Sequence, residues 1–173
     1  MRLELKVTLS LLVSLLAIGG STAHAQDSSW GDLTVSAVRV DYDLSGVGSA
    51  PALAVRTTRD FTSHVSLELG GVYAKPDQQF GPSTLFMPET QLRYRWHVAR
   101  VSPYVGAGVG AALVNSSFHS DWAPTLSMAA GTAVRLTDRL AATGEFRLRG
   151  HEWRFTGTTT ELSAGLAWRL PSF

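Results

Sequence analysis

The residues of this chain that could do chemistry fall into two groups. The first is small: His119-Ser120-Asp121 and His151-Glu152 set an imidazole beside a hydroxyl or a carboxylate, the groups that hydrolases and acyltransferases use. A working triad needs a base oriented by one partner with its nucleophile in hydrogen-bond reach. Three consecutive residues do not fold back onto one another in that way, so the sequence predicts no enzyme. The second group is larger. Arg39, Arg56, Arg93, Arg95, Arg135, Arg147, Arg149 and Arg169, with Asp41, Glu68, Glu145 and Glu161, recur at alternate positions between apolar residues. Arginine carries a rigid five-donor fork that pairs with carboxylates where water is scarce. This pattern points to ion pairs in a confined space. Cysteine is absent, which removes disulfides and thiolate metal sites. His64 and His97 read as ordinary polar positions near turns, and no metal or cofactor is predicted.

The elements that position these charges follow from the same alternation. In Glu161 to Leu170, the apolar Leu162, Ala164, Leu166, Trp168 and Leu170 alternate with Glu161, Ser163, Gly165, Ala167 and Arg169. Successive side chains of a strand point to opposite faces, so a period of two marks a strand with one apolar and one polar face. The same period recurs over Thr34–Tyr42, Pro51–Thr58, His64–Ala74, Glu89–Val98, Pro103–Val114, Trp122–Leu136 and Leu140–Arg149. In Glu89–Val98 a helix would scatter Arg93 and Arg95 around its surface, whereas a strand gathers them with Gln91 and His97. Parity in the first strand sets Val38, Val40 and Tyr42 on the apolar face against Arg39 and Asp41. Residues 26–32 read as a lead-in and Lys75 to Met87, with Pro76, Gly81 and Pro82, as a long loop. Connections after the second, fourth and sixth strands are short and the others longer.

Ahead of the strands, Arg2 and Lys6, the apolar run Val7 to Ile18 and the small residues of Ala23-His24-Ala25 read as a cleaved signal peptide over residues 1–25. Without Arg2, Glu4 and Lys6, the 15 basic and 14 acidic residues become thirteen of each, and Lys75 is then the only lysine. A neutral chain with dispersed basic residues offers nothing to nucleic acid. Beyond the leader no apolar run is long enough for a spanning helix.

Alternation alone fits either a membrane barrel or a soluble barrel with an apolar lumen. The aromatics decide between them. Tyr42, Tyr73, Phe86 and Trp122 are expected near the long-loop end, Trp96 and Trp168 near the short-turn end, as the two interfacial girdles of a lipid-facing wall. The expected fold is all-β: an eight-stranded antiparallel up-and-down transmembrane β-barrel over residues 26–173. Eight strands leave an interior that side chains fill, so the charges are expected to form a lumen plug. If Val98 faces Pro103 across the turn, Arg95 lies opposite Gly106 and Arg93 opposite Gly108.

With the strands laid out, LRYRWHVARVSPYVGAGVGAAL at 92 to 113, LSMAAGTAVRLTDRLAATGEFRLR at 126 to 149 and ELSAGLAWRL at 161 to 170 resemble the small eight-stranded outer-membrane β-barrels of Gram-negative bacteria, which include the membrane domain of outer-membrane protein A. The resemblance implies a bacterial outer-membrane location with both termini periplasmic. It implies outer-membrane lipids and lipopolysaccharide as neighbours, and an outer-membrane assembly machinery that reads a terminal aromatic. Here Phe173 is out of phase with Trp168 and Leu170, and Pro171 has no amide hydrogen for the ladder, so Leu170 is the expected strand end. The fold hosts several functions. The sequence favours a structural or surface-interaction role through loops bearing Phe80, Phe118, Trp153 and Phe155. A narrow channel and a lipid A-modifying enzyme are the alternatives.

Overall fold

A computed structural model describes residues 30–42, 49–75, 77–78, 81–116, 120–152 and 158–170. The expected leader, Phe80, Phe118, His119, Trp153, Phe155 and the tail Pro171 to Phe173 lie outside them. Eight strands form the wall: β1 Trp30–Tyr42, β2 Ala50–Asp60, β3 Val65–Ala74, β4 Gly81–Arg95, β5 Val101–Ser116, β6 Ser120–Arg135, β7 Leu140–His151 and β8 Thr158–Arg169. Each pairs antiparallel with its sequence neighbours, and β1 pairs with β8 from Asp32↔Arg169 to Tyr42↔Thr159, closing the barrel. Closure gives every strand of the wall a partner on both sides, which a bilayer requires because it offers no water to free backbone groups. No helix among the described residues is long and apolar enough to cross a membrane.

The short connections are built alike. In the turns after β2 and β6, the hydroxyl oxygens of Thr62 and Thr137 accept from the amides two and three residues on, at 2.9–3.3 Å. Between β4 and β5 the chain reverses through Ala99 and Arg100, with Val98 bridged to Val101. Ala99 has a φ of 56°, a left-handed conformation that costs an L-residue about 1–2 kcal/mol and glycine almost nothing. Ala99→Gly is therefore expected to raise the unfolding free energy in micelles by about 0.5–1 kcal/mol after the larger backbone entropy of unfolded glycine is counted, read as a higher urea midpoint. A lowered midpoint would contradict this.

Three expectations are corrected here. The segment expected as a loop up to Met87 is mostly strand, because β4 begins at Gly81. Pro82 and Pro88 disguise it, since proline is rare inside a sheet. The register across the turn is shifted: Arg93 lies opposite Gly106, Gln91 opposite Gly108 and Arg95 opposite Tyr104. The cause is the tighter reversal at Ala99-Arg100. Third, residues of the lead-in belong to β1, which starts at Trp30. At the other end β8 closes on Arg169, and the Leu170 amide still donates to the Gly31 carbonyl at 3.1 Å.

Candidate functional site: the charged lumen

Parity on β2, β3, β4, β7 and β8 turns Arg56, Glu68, Glu89, Arg93, Glu145, Arg147, Arg149 and Glu161 inward, and all eight are buried. Among the described residues the buried charges are thus four arginines and four glutamates, formally neutral. Every glutamate meets at least two arginines, and Glu68 and Glu145 also lie within 4.0 Å of Arg56. Glu161 pairs with Arg56 and, at 2.5 Å, with Arg149 Nη1. Glu89 accepts from Arg149 Nε at 2.7 Å and pairs with Arg147. Glu68 and Glu145 each lie 2.7 Å from Arg147 Nη2 and both pair with Arg93. Arg147 with Glu68 and Glu89, Arg93 with Glu145, and Arg56 with Glu161 reach across the lumen between strands that are not neighbours, which ties separate parts of the wall together.

Neutral groups complete the cluster. Tyr104 Oη donates to Glu145 Oε2 at 2.7 Å, and the Arg93 guanidinium sits 4.3 Å above the Tyr104 ring. That ring occupies space left by Gly131, where a Cβ would fall 2.5 Å from Tyr104 Oη. Gln91 accepts from Arg93 Nε at 3.2 Å, and a Cβ on Gly106 would fall 2.6 Å from Gln91 Oε1. The inward glycines therefore make room for long polar side chains.

Toward the loop end the lumen changes character. Val38, Val40, Ala54, Val72, Leu85 and Met87 are buried there as an apolar cluster. Toward the turn end it opens into a cavity of about 240 Å³ lined by Asp60, His64, Arg95, His97 and Arg169. Asp32 lies between Arg95 at 3.7 Å and Arg169 at 3.6 Å. His97 is held below the ordinary imidazole value, first by desolvation and then by the nearby Arg95 and His64.

The predicted residues divide accordingly. Arg56, Glu68, Arg93, Glu145, Arg147, Arg149 and Glu161 are in the buried cluster, while Arg95, Arg135 and Arg169 lie at the turn-end mouth. Arg39 and Asp41 are a correction: they point outward and are exposed, and Val38 and Val40 point inward. In β1 the polar Thr34 and Ser36 share a parity with Val38 and Val40, and the apolar lumen cap makes that single parity workable. Glu89, Gln91 and Tyr104 were missed as cluster members, although the parity of Arg93 and of Gly106 already placed them. Of the aromatics, Tyr73, Trp96, Trp122 and Trp168 are exposed on the outer wall and Phe86 is half-buried there. The Tyr42 side chain lies outside the described residues. As for the candidate catalytic groups, Ser120 and Asp121 start β6, and His151 ends β7 with its Nε2 2.7 Å from Thr159 Oγ1. His151 Nδ1 is buried with no hydrogen-bond partner among the described residues, so no carboxylate orients that ring. No group of metal-ligating side chains occurs among the described residues.

Comparison with known proteins agrees with this architecture. Residues 11–169 match the family described as outer membrane protein beta-barrel domain. Among solved structures, the chain is similar to Neisserial surface protein A at 12% identity and TM-score 0.65, covering 86% of this chain and 100% of that one. It is similar to the N-terminal barrel domain of Pseudomonas aeruginosa OprF at 15% identity and TM-score 0.60, covering 82% and 99%. It is also similar to Ail, the attachment invasion locus protein of Yersinia pestis, at 13% identity and TM-score 0.55, covering 84% and 100%. No curated protein sequence matches the chain. At these identities the solved structures speak for the fold, and the family match covers nearly the whole chain. The chain therefore belongs to the outer membrane protein beta-barrel domain family and is a protein of the bacterial outer membrane.

Proposed function

We propose that this barrel is a non-conducting, non-enzymatic wall protein of the outer membrane, with a structural or surface-interaction role in envelope integrity or adhesion. Both termini and the short turns face the periplasm and the loops face outward. Outer-membrane lipids and lipopolysaccharide surround it, the assembly machinery inserts it, and the loops meet any surface ligand. The observation that carries the reading is the neutral cluster of four arginines and four glutamates, in which every carboxylate is held by at least two guanidinium groups. The interior space beside Asp32, Arg93 and Glu145 is about 20 Å³, on the scale of a single water. A neighbour named for attachment and invasion fits an adhesive role for such barrels.

Planar-bilayer recording tests the closed lumen. Flat traces at all voltages are expected, and discrete openings of the purified protein would overturn it in favour of the narrow channel. For the lipid A-modifying alternative, His151 Nε2 lies 2.7 Å from Thr159 Oγ1, and the lack of a hydrogen-bond partner for its Nδ1 among the described residues speaks against a working pair there. Mass spectrometry of lipid A with and without the protein is expected to give the same acyl composition.

A further inference from the structure

The turn-end mouth of the barrel holds its charges differently from the cluster above it. In the cluster, guanidinium groups grip every carboxylate at close range. At the mouth, Asp32 lies 3.7 Å from Arg95 Nη1 and 3.6 Å from Arg169 Nε, beyond hydrogen-bond reach. The other donors of each guanidinium fork stay free. Asp60 makes no ion pair among the described residues. Asp60, Arg95 and Arg169 line one cavity of about 240 Å³ that is open at the turn end. Sites for drug-sized ligands span roughly 300–1,000 Å³, so this one suits a molecule of few heavy atoms.

The cavity is built on β3. Ser66 lies opposite Asp60 on β2, and the His64 carbonyl accepts from the Arg95 amide on β4 at 2.7 Å. Asp60 and Arg95 therefore stand on either side of β3, about 10 Å apart between backbones. Arg169 joins them from β8. The His64 ring is fixed in place: Ser63 Oγ lies 2.8 Å from its Nδ1, and it stacks on Tyr94 with 5.8 Å between centroids.

A second observation points to an occupant. Ser66 lines this cavity and is 2% exposed, and its Oγ has no hydrogen-bond partner among the described residues. A buried hydroxyl without a partner has lost its hydration with nothing in return. A polar ligand atom in the cavity supplies that partner.

Charge selects the ligand class. Asp32, Asp60, Arg95 and Arg169 cancel, with an acid on the β2 side of the cavity and guanidinium groups on the β4 and β8 sides. A pure anion would meet Asp60, and a pure cation would meet the arginines. A small molecule that carries both an ammonium and a carboxylate satisfies both sides with charge-assisted hydrogen bonds.

We infer that the turn-end mouth binds a small aminocarboxylate zwitterion, a neutral α-amino acid, with its ammonium on Asp60 and its carboxylate on Arg95 and Arg169 beside Ser66 Oγ. In the orientation proposed above the ligand arrives from the periplasm, and it needs no conducting lumen.

The test titrates the mature barrel, folded in uncharged maltoside micelles, with alanine and reads binding by saturation-transfer NMR. A zwitterionic detergent is avoided because its headgroup would compete. Saturable binding is expected, with a dissociation constant on the order of 1 mM for so few heavy atoms. N-acetylalanine, which lacks the ammonium, and alaninamide, which lacks the carboxylate, should each bind roughly tenfold more weakly, the usual worth of a charge-assisted hydrogen bond. Asp60→Asn should weaken alanine by a similar factor and bring N-acetylalanine level with it, a change of selectivity that a loss of structure would not produce. Arg95→Gln should weaken both compounds. Asp138→Asn, at the neighbouring turn between β6 and β7, should weaken neither. Heat-modifiable mobility checks that each variant is folded, and Asp60→Asn keeps the test open if Arg95→Gln is not. Absence of saturable alanine binding, equal binding of alanine and its two derivatives by the wild type, displacement of alanine by equimolar inorganic phosphate, or equal losses in Asp60→Asn and Asp138→Asn would each overturn the inference. A barrel that conducts and still binds alanine would sink only the closed-lumen reading.

Discussion

Replacing Arg147 with methionine is expected to lower the unfolding free energy in micelles by about 3–5 kcal/mol, the usual cost of stranding a buried charge. Arg147 lies 2.7 Å from both Glu68 and Glu145 and also pairs with Glu89, so its loss leaves four buried glutamates to three arginines. In the closed lumen proposed above, neither the carboxylates nor the remaining guanidinium groups can recover that energy from solvent. Glu68→Gln added to Arg147→Met restores neutrality, and the double variant should unfold at higher urea than the single one. Coupling between the two sites, read from the full double-mutant cycle, is the quantity that matters. Unchanged urea midpoints for Arg147→Met would mean that water reaches the cluster and that the lumen is wetter than its packing indicates.

The second large effect lies at the closing seam. Gly165 faces inward opposite Ser36, and a Cβ there would fall 2.6 Å from Ser36 Cα, a backbone atom that a side-chain rotation cannot move. Gly165→Leu should cost at least the upper end of the roughly 1–3 kcal/mol typical of overpacking, and should leave most of the protein without heat-modifiable mobility after refolding. Ala164→Leu, one residue away, points outward and is exposed, so it should change stability by no more than about 0.5 kcal/mol. If the two variants behave alike, the inside–outside parity of β8 is wrong.

Most strands were legible because inward charged, polar or small residues alternate with mainly apolar outward ones along them. The run Glu145, Phe146, Arg147, Leu148, Arg149 on β7 is the plainest case, and Glu161 to Trp168 on β8 another. A charge turned into lipid would cost several kcal/mol at each such site, so only one register is tolerable. Partner choice inside the lumen was not legible. That Arg147 meets Glu68, Glu89 and Glu145, while Arg56 reaches Glu161, depends on how opposite walls approach each other, and no local pattern records that distance.

By itself, then, the sequence determined that there are eight strands, that they close, and which face of most of them meets lipid. Only the tertiary structure decided the cases in which residue type and position disagree. Val38 and Val40 turn inward because the loop end of the lumen is apolar, and Arg39 turns outward for the same reason. Pro88 sits inside β4 because its neighbour on the β3 side pairs normally and only the β5 ladder is interrupted. A period of two reports that a strand has two faces. It reports which face is inside only while the inside is uniformly polar, and in this barrel the polarity of the interior changes along its axis.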